Sequence, residues 1–275
     1  MPSHLMTGVL KPMWRAVLHN LAWWWGMGSA LAVAPTALNV EPVNQLVVAG
    51  NACGPAALLN AFRFGSSNWQ RAASALDGSN DKERLLTIIR EFGMRPSRDV
   101  PGHPRWSRRG VSVEDLRDIA NQMTSGKFLP YLSAEVFFIT AGESPEQLLQ
   151  RVQRRLTTSL AKGFPPVISL RRYALRSQPA QPPQWVVIDA HFVTLTAIPR
   201  RLDKSDRTFV VSYLDPWGGR SLQGNIGIPP QPLFATPAGL AACLVADFPH
   251  TAVGLEKIRH GEATVLTVAA AIGRW

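Results

Sequence analysis

The chain has 275 residues but only two cysteines, Cys53 and Cys243, so it can hold at most one disulfide. Acids are scarce as well. There are 19 Asp and Glu against 29 Lys and Arg, a formal net charge of +10. That balance favours anionic surfaces without naming a partner. The basic residues are scattered; the densest runs are residues 105–109, 151–155 and 171–172, and Arg151, Arg154 and Arg155 read as the solvated face of a helix. No nucleic-acid-binding motif is present, so no nucleic acid partner is assigned. Clustered His, Cys or Asp at metal-ligand spacing is absent, and neither a metal nor an organic cofactor is expected. There are no internal repeats. With 46% hydrophobic and 17% charged residues, the chain is not disordered and can bury one large domain, or two lobes sharing a core.

Residues 1–20 contain Lys11 and Arg15 and no acid. Residues 21–33 are uncharged and apolar, including Trp23, Trp24 and Trp25. Ala30-Leu31-Ala32 matches a small-x-small cleavage site; Ala32-Val33-Ala34 also matches, but leaves Pro35 after the cut. This pattern reads as a signal peptide over residues 1–34, ahead of a domain at 35–275 that is secreted or periplasmic. The apolar core is short for a membrane span, and no second stretch of membrane length exists. An uncleaved anchor is the alternative, because the basic segment is long.

Along the rest of the chain the pattern changes once. Helices are expected from Cys53 to Gly65, from a cap at Asn68 to Leu76, and from a cap at Asp81 to Phe92 with Gly93 as its stop. Residues 95–110, dense in Pro, Gly and Arg, read as a surface loop. A capping box at residues 112–115 opens a helix to Met123. After it, residues 131–140 read as a strand, and Ser144-Pro145-Glu146-Gln147 opens an amphipathic helix to Gly163. Strands are then expected over 166–173, 185–198, 208–214 and 265–272, with loops at 177–184 and 199–207. A helical half followed by an antiparallel sheet is an α+β organisation.

The chemistry centres on Asn51-Ala52-Cys53-Gly54-Pro55-Ala56. A cysteine here stands where an irregular segment enters a helix. Pro55 suits a first helical turn, and the thiol would feel the positive end of the macrodipole, which favours thiolate. Taken alone, a cysteine more often simply packs. A nucleophilic thiol needs a base that is itself held in place. His191 lies within the apolar run Ile188-Asp189-Ala190-His191-Phe192-Val193, where a strand would fix its position; alone, it reads as a core histidine satisfied by one hydrogen bond. Asp215 ends the next strand in Asp215-Pro216-Trp217-Gly218-Gly219, where it could orient the imidazole or merely form the turn. Asp189 is a weaker rival, on the same sheet face as His191 but on the same strand.

His191 follows Cys53 by 138 residues, and Asp215 follows His191 by 24. The three motifs, in this order, resemble the peptidase family of the bacteriocin-processing (double-glycine leader) transporters, and more closely its stand-alone relatives in the papain-like cysteine peptidase superfamily. There the His follows the Cys by roughly 130–150 residues. The resemblance spans about residues 40–220. It implies a papain-like fold with the Cys helix packed on the sheet, Cys53 as nucleophile, His191 as base and Asp215 as orienting acid. It also implies a Gln donor to the oxyanion several residues before the Cys. The usual offset falls near Val47, which cannot donate; Gln45 and Asn51 are the candidates nearby.

The function expected is a secreted or periplasmic cysteine peptidase acting on a peptide or protein through an acyl-enzyme, with no cofactor. An acyltransferase or amidase could use the same triad. Two further readings are a non-catalytic peptide-binding module on the same fold, and an envelope protein whose basic face meets anionic lipid or wall polymer.

Overall fold

The computed structural model describes residues 30–34, 40–137, 142–178, 181–236 and 239–275. Most of the expected leader, residues 1–29, lies outside them, as do residues 138–140 of one expected strand. Among the described residues the fold is α+β, and no helix is long and apolar enough to cross a membrane.

The chain opens with strand β1 (Leu31–Val33), followed by a single 3-10 turn (Gln45–Val47). Four helices come next: α1 (Cys53–Arg63), α2 (Ser67–Ser74), α3 (Asp81–Thr87) and, after a small hairpin of β2 (Trp106–Ser107) and β3 (Gly110–Val111), α4 (Val113–Met123). Helix α1 is buried on every side through Phe62, as a central helix must be when it is apolar all round. Its single polar interior residue, Asn60, accepts a hydrogen bond from the Val43 N–H at 2.8 Å. Phe62 stacks on Trp69 of α2, and Phe164 packs edge-on against both, which fixes α2 on α1.

The helix starts need small corrections. The cap position of α2 is Ser66, and Asn68 instead accepts from Arg71 inside the helix. Asn80, not Asp81, caps α3 by accepting from the Glu83 N–H, while Asp81 pairs with Arg63 of α1. The helix expected to reach Phe92 changes to a π-helical turn over Ile88–Gly93. Ser112 caps α4 as its sequence suggests, accepting from the Asp115 N–H at 3.1 Å.

The second half carries β4 (Ser133–Val136), α5 (Pro145–Ala161), β5 (Val167–Gln178), β6 (Gln181–Pro199), β7 (Thr208–Asp215), β8 (Arg220–Gly227), a short hairpin of β9 (Phe234–Thr236) and β10 (Gly239–Ala241), then β11 (Leu244–Asp247) and β12 (Thr264–Gly273). Helix α5 starts in the expected capping box of Ser144 and Gln147. Strands run in the order β6-β5-β12-β11-β8-β7, and β7 pairs again with β6, so the sheet closes on itself. β5 and β6 form one long hairpin in place of the expected loop at 177–184. Pro182 and Pro183 fall where its register shifts, between the partners of Arg176 and Gln178, where no ladder N–H is required. β8 and β11, rich in Gly and polar residues or very short, were not expected from the sequence.

β1 extends this sheet. Leu31, Ala32 and Val33 lie opposite Pro199, Ile198 and Ala197 of β6, and the Ala34 N–H donates to Thr196 O at 2.7 Å. Ala32 and Ala34 are buried among the apolar residues shared by α5 and the sheet. The folded unit therefore takes in residues 30–34, which the sequence reading places in the leader, and the cleavage pattern Ala30-Leu31-Ala32 overlaps β1.

Candidate active site

Cys53 is the first residue of α1 and is buried, with its thiol within hydrogen-bond reach of His191 on the sheet. The residue behind it must be small. A Cβ on Gly54 would come within 2.5 Å of Val111 Cγ1. Helix α1 is tied to the sheet by Thr194 Oγ1, which donates to Ala57 O at 2.7 Å inside the core. Because Thr194 is three residues along β6 from His191, this bond also fixes the distance from the cysteine to the histidine.

β6 and β7 run antiparallel with Thr194 opposite Leu214. That register sets Asp215 opposite Val193, with His191 two residues further along the same face, a diagonal neighbour within reach of long side chains. The contact forms: His191 Nε2 and Asp215 Oδ1 lie 2.8 Å apart. Asp215 is fully buried, and its carboxylate also accepts from the Trp217 N–H at 2.8 Å and from Arg220 at 3.4 Å. Burial would raise the Asp215 pKa, but the hydrogen bond and charge of His191, the Trp217 N–H and Arg220 hold it below the usual carboxylate range. His191 is also buried, which by itself disfavours imidazolium. Hydrogen bonds to Asp215 and Cys53, and the charges of both, outweigh burial and raise its pKa to about 10. With Nε2 given to Asp215, the other ring nitrogen is the one that faces the thiol.

The cleft holds about 560 Å³ and is lined by His191, Gln45, Asn51, Trp217 and a rim of charged residues. Gln45 enters from the 3-10 turn, whose Gln45 N–H donates to Pro216 O at 2.9 Å. The side chain is buried. Its Oε1 meets no donor and its Nε2 has no acceptor among the described residues, so the amide N–H groups remain available to the cleft. Val47, at the offset the resemblance would favour, is exposed instead. Asn51 lines the cleft too; its side-chain amide donates to Arg109 O at 3.5 Å and its backbone carbonyl accepts from Trp106 Nε1 at 2.9 Å. Both bonds tie it to the β2–β3 hairpin.

Two sequence alternatives separate here. Asp189 pairs with Lys257 at 2.8 Å, not with the imidazole. Cys243 is a free, buried thiol in a different part of the core, and burial pushes its pKa up to about 11, partly opposed by the Leu233 N–H. Arg220, Trp217 and the rim residues Arg108, Glu256 and Lys257 were not singled out from sequence. Trp217 and Arg220 flank the Asp-Pro turn closely enough that the motif itself could have pointed to them. Among the described residues, no cluster of His, Cys, Asp and Glu is arranged to hold a metal ion.

The charge-stabilised imidazole and an unpartnered amide donor thus line one cleft, and the buried thiol contacts the imidazole. Such a set can deliver a sulfur nucleophile to a carbonyl carbon and stabilise the oxyanion that forms. Comparisons with protein-family models, curated proteins and solved structures return no match to this chain.

Proposed function

We propose that the chain is a cysteine peptidase of the papain-like type, acting outside the cytosol on peptide bonds through an acyl-enzyme. The observation that carries this reading is the convergence of Cys53 and Asp215 on His191, three residues from separate elements, with His191 lining a cleft that also holds the free Gln45 amide. In this reading the Cys53 sulfur attacks the peptide carbonyl as thiolate. The resulting oxyanion accepts from the Cys53 N–H and from Gln45 Nε2. The His191 imidazolium then gives its proton to the leaving amine as the C–N bond breaks, leaving a thioester on Cys53. Water attacks the thioester, and its proton passes to His191. The C–S bond breaks, the peptide acid leaves, and the thiolate–imidazolium pair is restored. Asp215 keeps the imidazole in one orientation and stabilises its charged form throughout.

A degenerate peptide library incubated with the chain and followed by mass spectrometry tests the reading. Cleavage should be abolished by Cys53→Ala and reduced by about a hundredfold or more by His191→Ala. A wild-type chain that neither cleaves the library nor forms an adduct with a peptidyl vinyl sulfone is not a peptidase, and the binding module becomes the better account.

A further inference from the structure

We infer that the cleft selects peptides carrying a carboxylate close to the scissile bond, and that Arg108 is the specificity residue that reads it; this rests on the peptidase reading of the same cleft. Arg108 lines the cleft from the β2–β3 hairpin. It is exposed, with no hydrogen bond or ion pair among the described residues. Unpaired surface arginines are common, but this one sits on a fixed support. Trp106, two residues before it, is bonded to Asn51, two residues before Cys53. Gly50, at φ +93°, passes so close that a Cβ there would lie 3.6 Å from the Arg108 Cα. The Arg108 backbone is thereby held at the rim beside Gly50, three residues before Cys53 in the chain.

The other cation on the rim is already satisfied. Lys257 bonds Asp189 at 2.8 Å and lies 4.0 Å from Glu256, and Arg172 also feels the charge of Asp189, so the two acids there are matched by two bases. The unbalanced charge on the rim is therefore the free positive group on the hairpin side. The N-terminus of α1, which no side chain caps, adds positive potential on the hairpin side. A peptide laid in this field is favoured when a Glu, Asp or terminal carboxylate falls at Arg108.

Selection of a degenerate octapeptide library on the immobilised full chain bearing Cys53→Ala reads this preference without chemistry. Asp and Glu should be enriched about threefold to tenfold over Asn and Gln at one position, as expected for a partly exposed ion pair. The enrichment should vanish with Arg108→Gln, turn toward Lys and Arg with Arg108→Glu, and weaken at high salt. Because Arg108 is exposed and makes no hydrogen bond or ion pair among the described residues, these variants should fold normally, and matched melting curves check it. Enrichment that Arg108→Gln leaves intact, or none in the parent, overturns the inference. Acidic enrichment on a chain that cleaves nothing would sustain the inference while refuting the peptidase reading; cleavage blind to charge would do the reverse.

Discussion

The buried His191–Asp215 pair should leave its mark on stability as a function of pH, and this can be measured without any substrate. His191 in the native chain has its pKa raised to about 10, from an ordinary 6.5 in the unfolded chain. A group whose folded pKa is raised stabilises the fold fully below its unfolded pKa, and that contribution fades as pH climbs toward the folded value. Counted at the imidazole alone, the native state holds one more proton than the unfolded chain over this range, but the proton missing from a Cys53 thiolate offsets it, so the thiol must be removed for the imidazole to be read. With the thiol removed, stability should fall by up to about 1.36 kcal/mol per pH unit between the unfolded and folded imidazole pKa values. Asp215 works in the opposite sense: its pKa is lowered, so its contribution is present above the ordinary carboxylate range and is lost as the pH falls through its folded value. The pair should thus be worth most between about pH 4 and 6.5. Urea unfolding of Cys53→Ala and of Cys53→Ala/His191→Gln, at several pH values from 5 to 9.5, isolates the effect, since the thiol is gone from both and other titrating groups cancel in the difference. The gap between the two proteins should shrink by about 1 kcal/mol or more from pH 6 to pH 9.5, because the hydrogen bond and charge of Asp215 still raise the imidazole pKa. A gap that does not narrow would refute the charged-pair reasoning.

Gln45→Ala should lower turnover by about a hundredfold or more with little change in KM, the signature of a donor to the transition state; loss of binding alone would assign Gln45 to the cleft wall. It should not destabilise the chain greatly, because the residue's Oε1 already lacks a partner. A chain beginning at Pro35 should melt lower than one beginning at Ala30, because it lacks β1. Burial of the Ala32 and Ala34 methyls and the lost strand hydrogen bonds amount to about 2–4 kcal/mol, or roughly 5–10 °C in a domain of this size. Equal melting temperatures would mean that β1 contributes nothing to the fold.

Much of this arrangement could be read from residue order because it rests on local signals. The Ser144–Gln147 capping box, the Ser112 cap and the apolar run after Pro55 each announce a helix start in a few residues. The grouping of Cys53, His191 and Asp215 was legible for a related reason: a thiol before Gly-Pro, a histidine inside an apolar run and an aspartate at a strand end are each unusual for their setting. What stayed hidden depends on distant partners. β8 is polar and contains Gly224, so it looks like a loop until β7 and β11 supply its pairing. β5 and β6 extend past the Pro- and Gln-rich segment because their ladder tolerates proline where the register shifts. β1 could not be separated from the leader, since its alternation of small and apolar residues serves a cleavage site and a strand equally well. The choice of Gln45 over Val47 needed the 3-10 turn, which points one side chain inward and the other to solvent.

The central claim, that Cys53 and His191 share a proton as a reactive ion pair, is tested most directly by iodoacetamide labelling of the folded chain from pH 5 to 9, read by intact mass. Cys53→Ala serves as the control, and buried Cys243 should stay unlabelled. The account predicts a single adduct at Cys53 that forms at a rate nearly independent of pH down to about 6 and slows about tenfold or more at that pH in His191→Ala. A rate that instead climbs tenfold per pH unit toward the ordinary thiol value near 8.5, unchanged by His191→Ala, would contradict it.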